Sequence, residues 1–116
     1  MLYLCSLYED ESQRSGRTPE EAGQTLARYL AFTEAAREAG IFVAGEGLQP
    51  TSTATTVRVR DGERLIVDGP FAETKEQLGG YYLIECADLD AAIAIAADVP
   101  GAVKGSIEIR PIRSLS

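Results

Sequence analysis

The chain opens with a short apolar run followed by a polar break. Residues 2–8, LYLCSLY, are apolar and rich in residues that favour strands, and the run is too short for a helix. Residues 9–17, EDESQRSGR, are polar and contain glycine and serine. The pattern therefore predicts a first β-strand that is joined by an exposed loop to the next element.

A long amphipathic helix is predicted next. Thr18 can accept one of the first free N–H groups, Pro19 suits the first helical position, and Glu21 completes a capping box. Apolar positions then recur every three or four residues to about Ala39, after which Gly40 can end the helix in the left-handed conformation. The stripe expected to be buried consists of Ala22, Leu26, Tyr29, Leu30, Thr33 and Ala36.

The second half of the chain is predicted to hold mainly strands. An alanine-rich stretch capped by Asp88 or Asp90 predicts a second helix. Gly79 and Gly80 are expected to permit a bulge or a close approach, and Pro111 suggests that the last strand ends at a sheet edge. The expected elements are a strand at 41–45, a hairpin at 55–68, a strand at 79–87, a helix at 88–99 and a strand at 106–112.

The register of the hairpin depends on its turn. A two-residue turn at 61–62 would place Arg58 opposite Leu65 and mix charged and apolar side chains on both faces. A three-residue loop at 60–62 would instead place Val57 opposite Leu65 and separate the faces. Because one face of a strand pair is normally buried, the second register is preferred.

The order of the elements predicts the fold class. A β-α-β unit, a hairpin and a second β-α-β unit, in one domain of 116 residues, are typical of a ferredoxin-like α+β fold with both helices on one face of an antiparallel-rich sheet. The strands at 2–8 and 79–87 offer apolar side chains to both faces. The uncovered face is therefore expected to bind a partner subunit, and we expect a homodimer.

The net charge and the two cysteines indicate which partners and which cellular compartment to expect. Eighteen acidic and eleven basic residues give a net charge of -7, which disfavours direct binding to nucleic acid. No apolar stretch approaches the roughly 20 residues of a membrane-spanning helix, and the first residues lack the features of a signal peptide. Cys5 and Cys86 are expected to be buried, reduced thiols inside strands. Together these features predict a cytoplasmic protein with no membrane partner.

The sequence contains no histidine, which is the commonest general acid or base and the commonest metal ligand near neutral pH. Ser-His and Cys-His nucleophiles and histidine-based zinc sites are therefore excluded. No glycine-rich phosphate loop and no metal-ligand spacing is present, so neither a metal nor a cofactor is expected. Any chemistry would have to use carboxylate, tyrosine, lysine, arginine, cysteine or backbone groups.

The segment 67–80, VDGPFAETKEQLGG, gathers glycine, proline and an aromatic residue around one acid, Asp68. In one interpretation Asp68 is a catalytic base or binds a cationic group. In the other, its carboxylate accepts nearby backbone N–H groups and closes a turn. Gly69 and Pro70 are expected to form the turn, and Phe71 is expected to anchor it in the core.

Four further charged residues are candidate ligand-binding groups. Glu46 lies between two glycines, and if it faced Asp68 the two carboxylates could act as an acid/base pair. Lys75 follows Asp68 closely in the sequence and could pair with it or form an anion site. Arg58 and Arg110 occupy strand positions at which a charged side chain is expected to face solvent or to pair with an acid.

The long segment VDGPFAETKEQLGGYYLIE resembles the signature of the YCII-related, DGPF-motif family. Shorter matches, FTEAAREAG, AGEGLQP, TATTVRVRDG and IEIRPI, extend the likeness over nearly the whole chain. The resemblance implies a ferredoxin-like subunit that pairs into a dimeric α+β barrel. The resemblance also implies a histidine–aspartate couple, as suggested for related proteins. The aspartate of that couple would correspond to Asp68, although this chain has no histidine. Many relatives are encoded beside, or fused to, sigma factors of the extracytoplasmic-function class.

Three hypotheses follow for the function. The first is a dimer that binds an undefined small molecule and is accessory to sigma-factor-linked transcriptional regulation. The alternative is a histidine-free enzyme in which Asp68 performs acid/base chemistry. The third, an interaction module for a sigma factor, rests on the gene context of the family alone. The absence of histidine and of a strong catalytic motif favours the first hypothesis.

Overall fold

The fold is described by a computed structural model for residues 1–114. The helices and strands follow one another in the predicted order. They are β1 (Leu2–Glu9), α1 (Pro19–Glu38), β2 (Phe42–Gly47), β3 (Thr55–Arg60), β4 (Glu63–Asp68), β5 (Gln77–Glu85), α2 (Leu89–Ala97) and β6 (Ser106–Pro111). Short 3-10 turns lie at Glu11–Arg14, Thr51–Thr53 and Pro100–Val103.

Four of the strands form one antiparallel sheet in the order β2-β5-β1-β6. Tyr3 and Cys5 of β1 and Tyr82 and Ile84 of β5 share one face of this sheet, where they pack against residues of both helices. This is the ferredoxin-like α+β arrangement, so the predicted fold class is confirmed. β6 is an edge strand, as Pro111 predicted.

The residues that cap the start of α1 act as predicted, whereas the predicted stripe of the helix is mostly not buried. The Thr18 hydroxyl accepts the backbone N–H of Glu21 at 3.1 Å, and the glycine that follows the last turn has a φ of 72°. Of the predicted stripe only Ala36 is buried. Leu26 and Leu30 are 60% and 62% exposed, so the stripe borders an open groove there rather than the core.

The core is a single layer of side chains between the sheet and the helices. Ile84 and Cys5 are its largest fully buried side chains. The Tyr82 ring packs edge-on against Phe32 of α1, with the ring centroids 5.1 Å apart. α2 contributes alanines, of which Ala92 is completely buried, so that this helix lies close against the sheet.

Two groups in or beside the core couple stability to alkaline pH. Burial, followed by the nearby Cys86 thiol, raises the pKa of Cys5, and burial also raises the pKa of Tyr29. Both groups become anions when they lose a proton, so the native state keeps protons that the unfolded chain has already released. The free energy of unfolding is therefore expected to be fully retained below about pH 8 and to fall as the pH rises from about 8.5 towards 11.

Urea unfolding at a series of pH values measures this dependence. Cys5→Ala should lower stability at every pH and also remove the first part of the decline, because the variant has no thiol to ionise. A free energy of unfolding that stays flat over the alkaline window would contradict the prediction.

Both cysteines are free, and Cys86 lies one residue beyond β5 and is half-buried rather than inside a strand as predicted.

β5 begins two residues earlier than predicted and contains the expected bulge. Gly79 is the extra residue that shifts the register of β5 against β1. A Cβ at Gly80 would lie 2.9 Å from the carbonyl oxygen of Glu46, so β2 and β5 approach each other closely here. The segment 72–78 contains no helical turn, because its last residues already belong to β5.

β3 and β4 form the predicted hairpin, but in the register that was not preferred. Arg58 lies opposite Leu65 around a two-residue turn. Asp61 and Gly62 have φ values of 53° and 77°, the pair of positive values that a type I′ turn requires. The preference for separated faces was wrong because nearly every residue of this hairpin is exposed in the single chain, so burial does not select the register.

We call the hairpin, residues 55–68, the arm. Its two strands pair only with each other, and its five apolar side chains are between 44% and 61% exposed. The radius of gyration of the chain is 16.2 Å, whereas a compact chain of this length has a value of about 13 Å. Because an isolated two-stranded hairpin is at best marginally stable in water, the arm needs another surface to cover it.

Candidate functional site

A groove runs between α1 and the part of the sheet formed by β2 and β5. Its volume is about 610 Å³, which lies within the range of about 300–1,000 Å³ typical of small-molecule sites. Leu26 and Leu30 border it on the helix side, and Phe42 borders it on the sheet side. We call this cavity the α1 groove.

The floor of the α1 groove is bare backbone. Gly47 of β2 lies directly opposite Gly80 of β5, so no side chain rises from either position. A Cβ at Gly45 would lie 2.6 Å from the Tyr82 ring, so packing alone explains that glycine. A Cβ at Gly47 would meet nothing within 4 Å. Because glycine weakens a strand, a glycine with room for a side chain marks a place where a ligand or another backbone approaches.

Hydroxyl groups cross the α1 groove between the helix and the sheet. Thr33 Oγ1 of α1 and the Tyr82 hydroxyl are hydrogen-bonded at 3.0 Å. One turn earlier on α1, the phenolic oxygen of Tyr29 is hydrogen-bonded to the backbone of Gly101. Burial, and then the neighbouring Tyr82, raises the pKa of Tyr29, although the hydrogen bond and two nearby arginines oppose this. The phenol therefore stays protonated at neutral pH and can donate a hydrogen bond.

Three arginines line the α1 groove, and they differ in how their charge is compensated. Arg14 forms an ion pair with Glu9. The guanidinium of Arg37 lies over the Phe42 ring, 4.8 Å from its centroid. Arg17 is half-buried and forms no ion pair with any residue in the range 1–114. Arg17 is therefore half-buried with neither an ion pair nor a ring contact in the described chain, whereas Arg37, which has no ion pair either, is exposed and stacked on a ring.

The sequence profile of the YCII-related domain matches residues 1–116. The chain belongs to the YCII-related family. It is also 44% identical over 114 residues to a protein of uncharacterized function from Rhizobium meliloti (strain 1021), and this alignment covers 97% of the chain and 92% of that protein. The resemblance based on the DGPF segment is therefore confirmed.

In this YCII-related chain Asp68 ends β4 and lies opposite Thr55 at the base of the arm. Its carboxylate forms no hydrogen bond or ion pair with the part of the chain that the structure describes, so it does not close the turn. Gly69 closes it instead, because its N–H donates to the Ala54 oxygen at 2.7 Å and its own oxygen accepts the Thr56 hydroxyl at 2.8 Å. A catalytic or ligand-binding role of Asp68 stays a prediction.

Two of the predicted ligand groups lie on the sheet face that the helices do not cover. Glu46 is opposite Tyr81, and Arg110 is opposite Leu4, at register positions that point away from α1 and α2. Glu46 is nevertheless one of the residues that border the α1 groove, where it lies between Gly45 and Gly47. The strands that carry them, β2 and β6, are the two edges of the sheet, about 14 Å apart at three strand spacings. Glu46 and Arg110 are therefore not brought together within one subunit.

The other two predicted ligand groups lie in and beyond the arm. Arg58 is an exposed residue of β3, and Lys75 is exposed in the loop before β5. Neither forms an ion pair with Asp68. Lys75 instead lies near Asp10, whose pKa is lowered mainly by hydrogen bonds from Ser12 and to a smaller extent by this ammonium group. The five predicted site residues thus do not form one cluster in the single chain.

The turn residues of the DGPF segment behave in different ways. Gly69 has a φ of 102°, as expected of a glycine at a chain reversal. The prediction that Phe71 anchors the turn in the core was wrong, since its side chain is 79% exposed. The reason is that the loop between β4 and β5 that carries it is exposed from Pro70 to Lys75. Pro70 is exposed in the same loop.

The residues that form the α1 groove carry no recognised motif. Tyr29 and Thr33 were interpreted as part of a buried stripe and Arg17 as a loop residue, and Gly47 lies outside the strand that was predicted at 41–45. The available signal was the occurrence of paired glycines in two strands, AGEG and LGGYY, since glycine in a strand marks a close approach. Sequence alone does not show that these two strands are neighbours.

The described residues offer neither a membrane-spanning helix nor a metal-ligand cluster. No helix within residues 1–114 is long and apolar enough to cross a membrane. In the same range, no three side chains of the metal-binding types come together as a ligand cluster. The α1 groove is lined by hydroxyl groups, by arginine and glutamate residues and by apolar surface.

Proposed function

We propose that this YCII-related protein is a homodimer that binds a small molecule in the α1 groove of each subunit. The observation that carries the proposal is Gly47, a floor position with room for a side chain and none present, in a groove of about 610 Å³. Thr33, Tyr82 and Arg17 are among the polar groups at the border of a mainly apolar cavity. A mainly apolar cleft with a few placed polar groups is typical of small-molecule sites.

The dimer is supported by two surfaces that the single chain leaves uncovered. In the middle of the sheet face opposite the helices, Leu83 of β5 lies between Leu4 of β1 and Ala44 of β2. The arm is the second surface, since both of its faces carry exposed apolar side chains. A second copy would cover both, and an obligate homodimer interface typically buries on the order of 2,000 Å² or more.

In this dimer the arm would carry the DGPF segment to the neighbouring subunit. Asp68 has no partner within residues 1–114, and Phe71 is largely exposed, so neither side chain is explained by contacts of its own chain. We propose that both residues contact the second subunit, where Asp68 would pair with a cationic group or complete a ligand site.

The ligand site is tested with 2-naphthol, a flat and uncharged probe, followed by backbone amide NMR. The amides of Gly47 and Gly80 are expected to shift on titration, because these two residues form the floor on which the probe would lie. The amides of Gly16 and Gly23 lie outside the groove and are expected to stay in place. No shift at the floor glycines up to the solubility limit of the probe would contradict a groove-bound ligand.

Two substitutions separate binding in the groove from binding elsewhere. Gly47→Leu should fill the groove, since its Cβ would meet nothing within 4 Å, and weaken 2-naphthol binding by about tenfold or more, which corresponds to roughly 1.4 kcal/mol. Gly23→Leu adds the same side chain on the open surface of α1 and should bind as the wild type does. Equal affinity of both variants would show that the probe binds outside the α1 groove.

A further inference from the structure

We propose that the natural ligand of the α1 groove is a flat, largely apolar molecule with one carboxylate, and that Arg17 binds this carboxylate. The inference rests on the proposed function, because it assumes that the groove is a ligand site. It goes further by naming the chemical class of the ligand and the residue that selects it.

The charge of the groove favours a single negative charge on the ligand. The protein as a whole carries a net charge of -7, yet the groove is lined by three arginines. Glu9 offsets Arg14, and Arg37 is stacked on Phe42, which leaves Arg17 without a partner among the described residues. A half-buried guanidinium without a counter-ion is costly, and a ligand carboxylate that accepts both of its forked N–H groups would remove this cost.

A carboxylate fits this end of the groove better than a phosphate. Two acids, Glu9 and Glu46, are among the residues that line the groove, so a doubly charged phosphate would be repelled more strongly than a singly charged carboxylate. Arg17 also lies close enough to Tyr29 for its charge to act on the phenol. Because the Tyr29 oxygen already accepts a hydrogen bond from the backbone of Gly101, its own O–H remains free to donate to a bound anion.

The shape of the groove favours a flat apolar body behind the carboxylate. Gly47 and Gly80 face each other across two strands, so the floor is a stretch of peptide planes without side chains. Leu26 and Leu30 provide an apolar wall that is more than half exposed in the absence of a ligand. A flat ring system would cover this wall and floor together, which releases water from apolar surface.

Isothermal titration of the whole protein with 2-naphthoate and 2-naphthamide tests the proposal, since the two probes share a ring system and differ in charge. The wild type is expected to bind the carboxylate about ten- to a hundredfold more tightly than the amide. Arg17→Leu should bring the two affinities to within about threefold by weakening the carboxylate alone. Arg28→Leu removes the same charge outside the groove and should keep the wild-type preference. Tyr29→Phe should weaken the carboxylate by a smaller factor.

The outcomes distinguish the two proposals. Equal or tighter binding of the amide by the wild type, with both probes blocked by Gly47→Leu, would overturn the carboxylate assignment and leave the groove as a ligand site. A preference for the carboxylate that survives Arg17→Leu would also overturn it. Tighter binding of 2-naphthyl phosphate than of 2-naphthoate would show that the site takes a different anion. If no naphthalene probe binds in the groove, both proposals fail.

Discussion

Leu83→Glu is expected to convert the proposed dimer into a folded monomer. Leu83 lies between Leu4 and Ala44 on the sheet face that the helices leave uncovered. In a symmetric pair each substitution occurs twice in the interface, so two carboxylates enter an apolar contact. A buried charge without a partner costs about 3–5 kcal/mol, so the dissociation constant should rise by at least about two orders of magnitude.

Sedimentation velocity at low micromolar concentration measures the effect, and far-ultraviolet circular dichroism reports whether the variant is folded. Leu89→Glu is the matched control, because Leu89 is a half-exposed leucine at the start of α2, on the side of the sheet that the helices cover. It should sediment as the wild type does. A wild-type protein that sediments only as a species of 12.4 kDa, or a Leu83→Glu protein that remains dimeric, would count against the interface.

Gly45→Ala is expected to destabilise the fold and distort the α1 groove. The added methyl group would lie 2.6 Å from the Tyr82 ring and 3.1 Å from the backbone carbonyl oxygen of Tyr81. The Tyr82 ring has little freedom to move, because Phe32 packs against it and Thr33 is hydrogen-bonded to its hydroxyl. Overpacking of this kind typically costs about 1–3 kcal/mol, and a lost hydrogen bond adds roughly 1 kcal/mol.

Gly47→Ala is the matched comparison, since it adds the same methyl group two residues later in the same strand. Nothing lies within 4 Å of the added atom, and the backbone of Gly47 does not have a positive φ. Its stability should therefore equal or exceed that of the wild type by up to about 1 kcal/mol. Urea unfolding of both variants gives the two free energies, and an equal loss in both would show that Gly45 is not held by its contact with Tyr82.

The sequence predicts the elements whose signals are local. Thr18, Pro19 and Glu21 mark the start of α1 because a capping interaction needs only neighbouring residues. The same holds for Asp88, whose carboxylate accepts the N–H of Ala91 at the start of α2. The order of such elements was sufficient for the ferredoxin-like fold class.

The predictions from sequence were wrong at positions where one face of an element was assumed to be buried. The register of the arm was chosen on the premise that one face is covered, and the single chain covers neither. The stripe of α1 was assumed to be core, whereas Leu26 and Leu30 border a groove. A period of three to four residues shows which side chains share a face, and it does not show what lies opposite that face.

The candidate site was missed for a related reason. Asp68 was chosen as a candidate site residue because proline and glycine surround it in the sequence. Those neighbours, however, serve to shape the backbone of the turn. Arg17, Tyr29 and Gly47 are distant in the sequence and ordinary in their local context. They meet only because β2 pairs with β5 and α1 crosses above both, which is information held by the tertiary fold.

The central position of β1 has a consequence for how the protein is made. β1 is synthesised first, but both of its neighbours in the sheet, β5 and β6, are the last strands to be translated. At about 5–20 residues per second, an apolar strand therefore waits on the order of seconds for its partners. Native pairings of such long sequence separation also form slowly after release. The nascent chain is thus exposed to aggregation throughout translation, and its yield in cells should depend on chaperones more than its small size suggests.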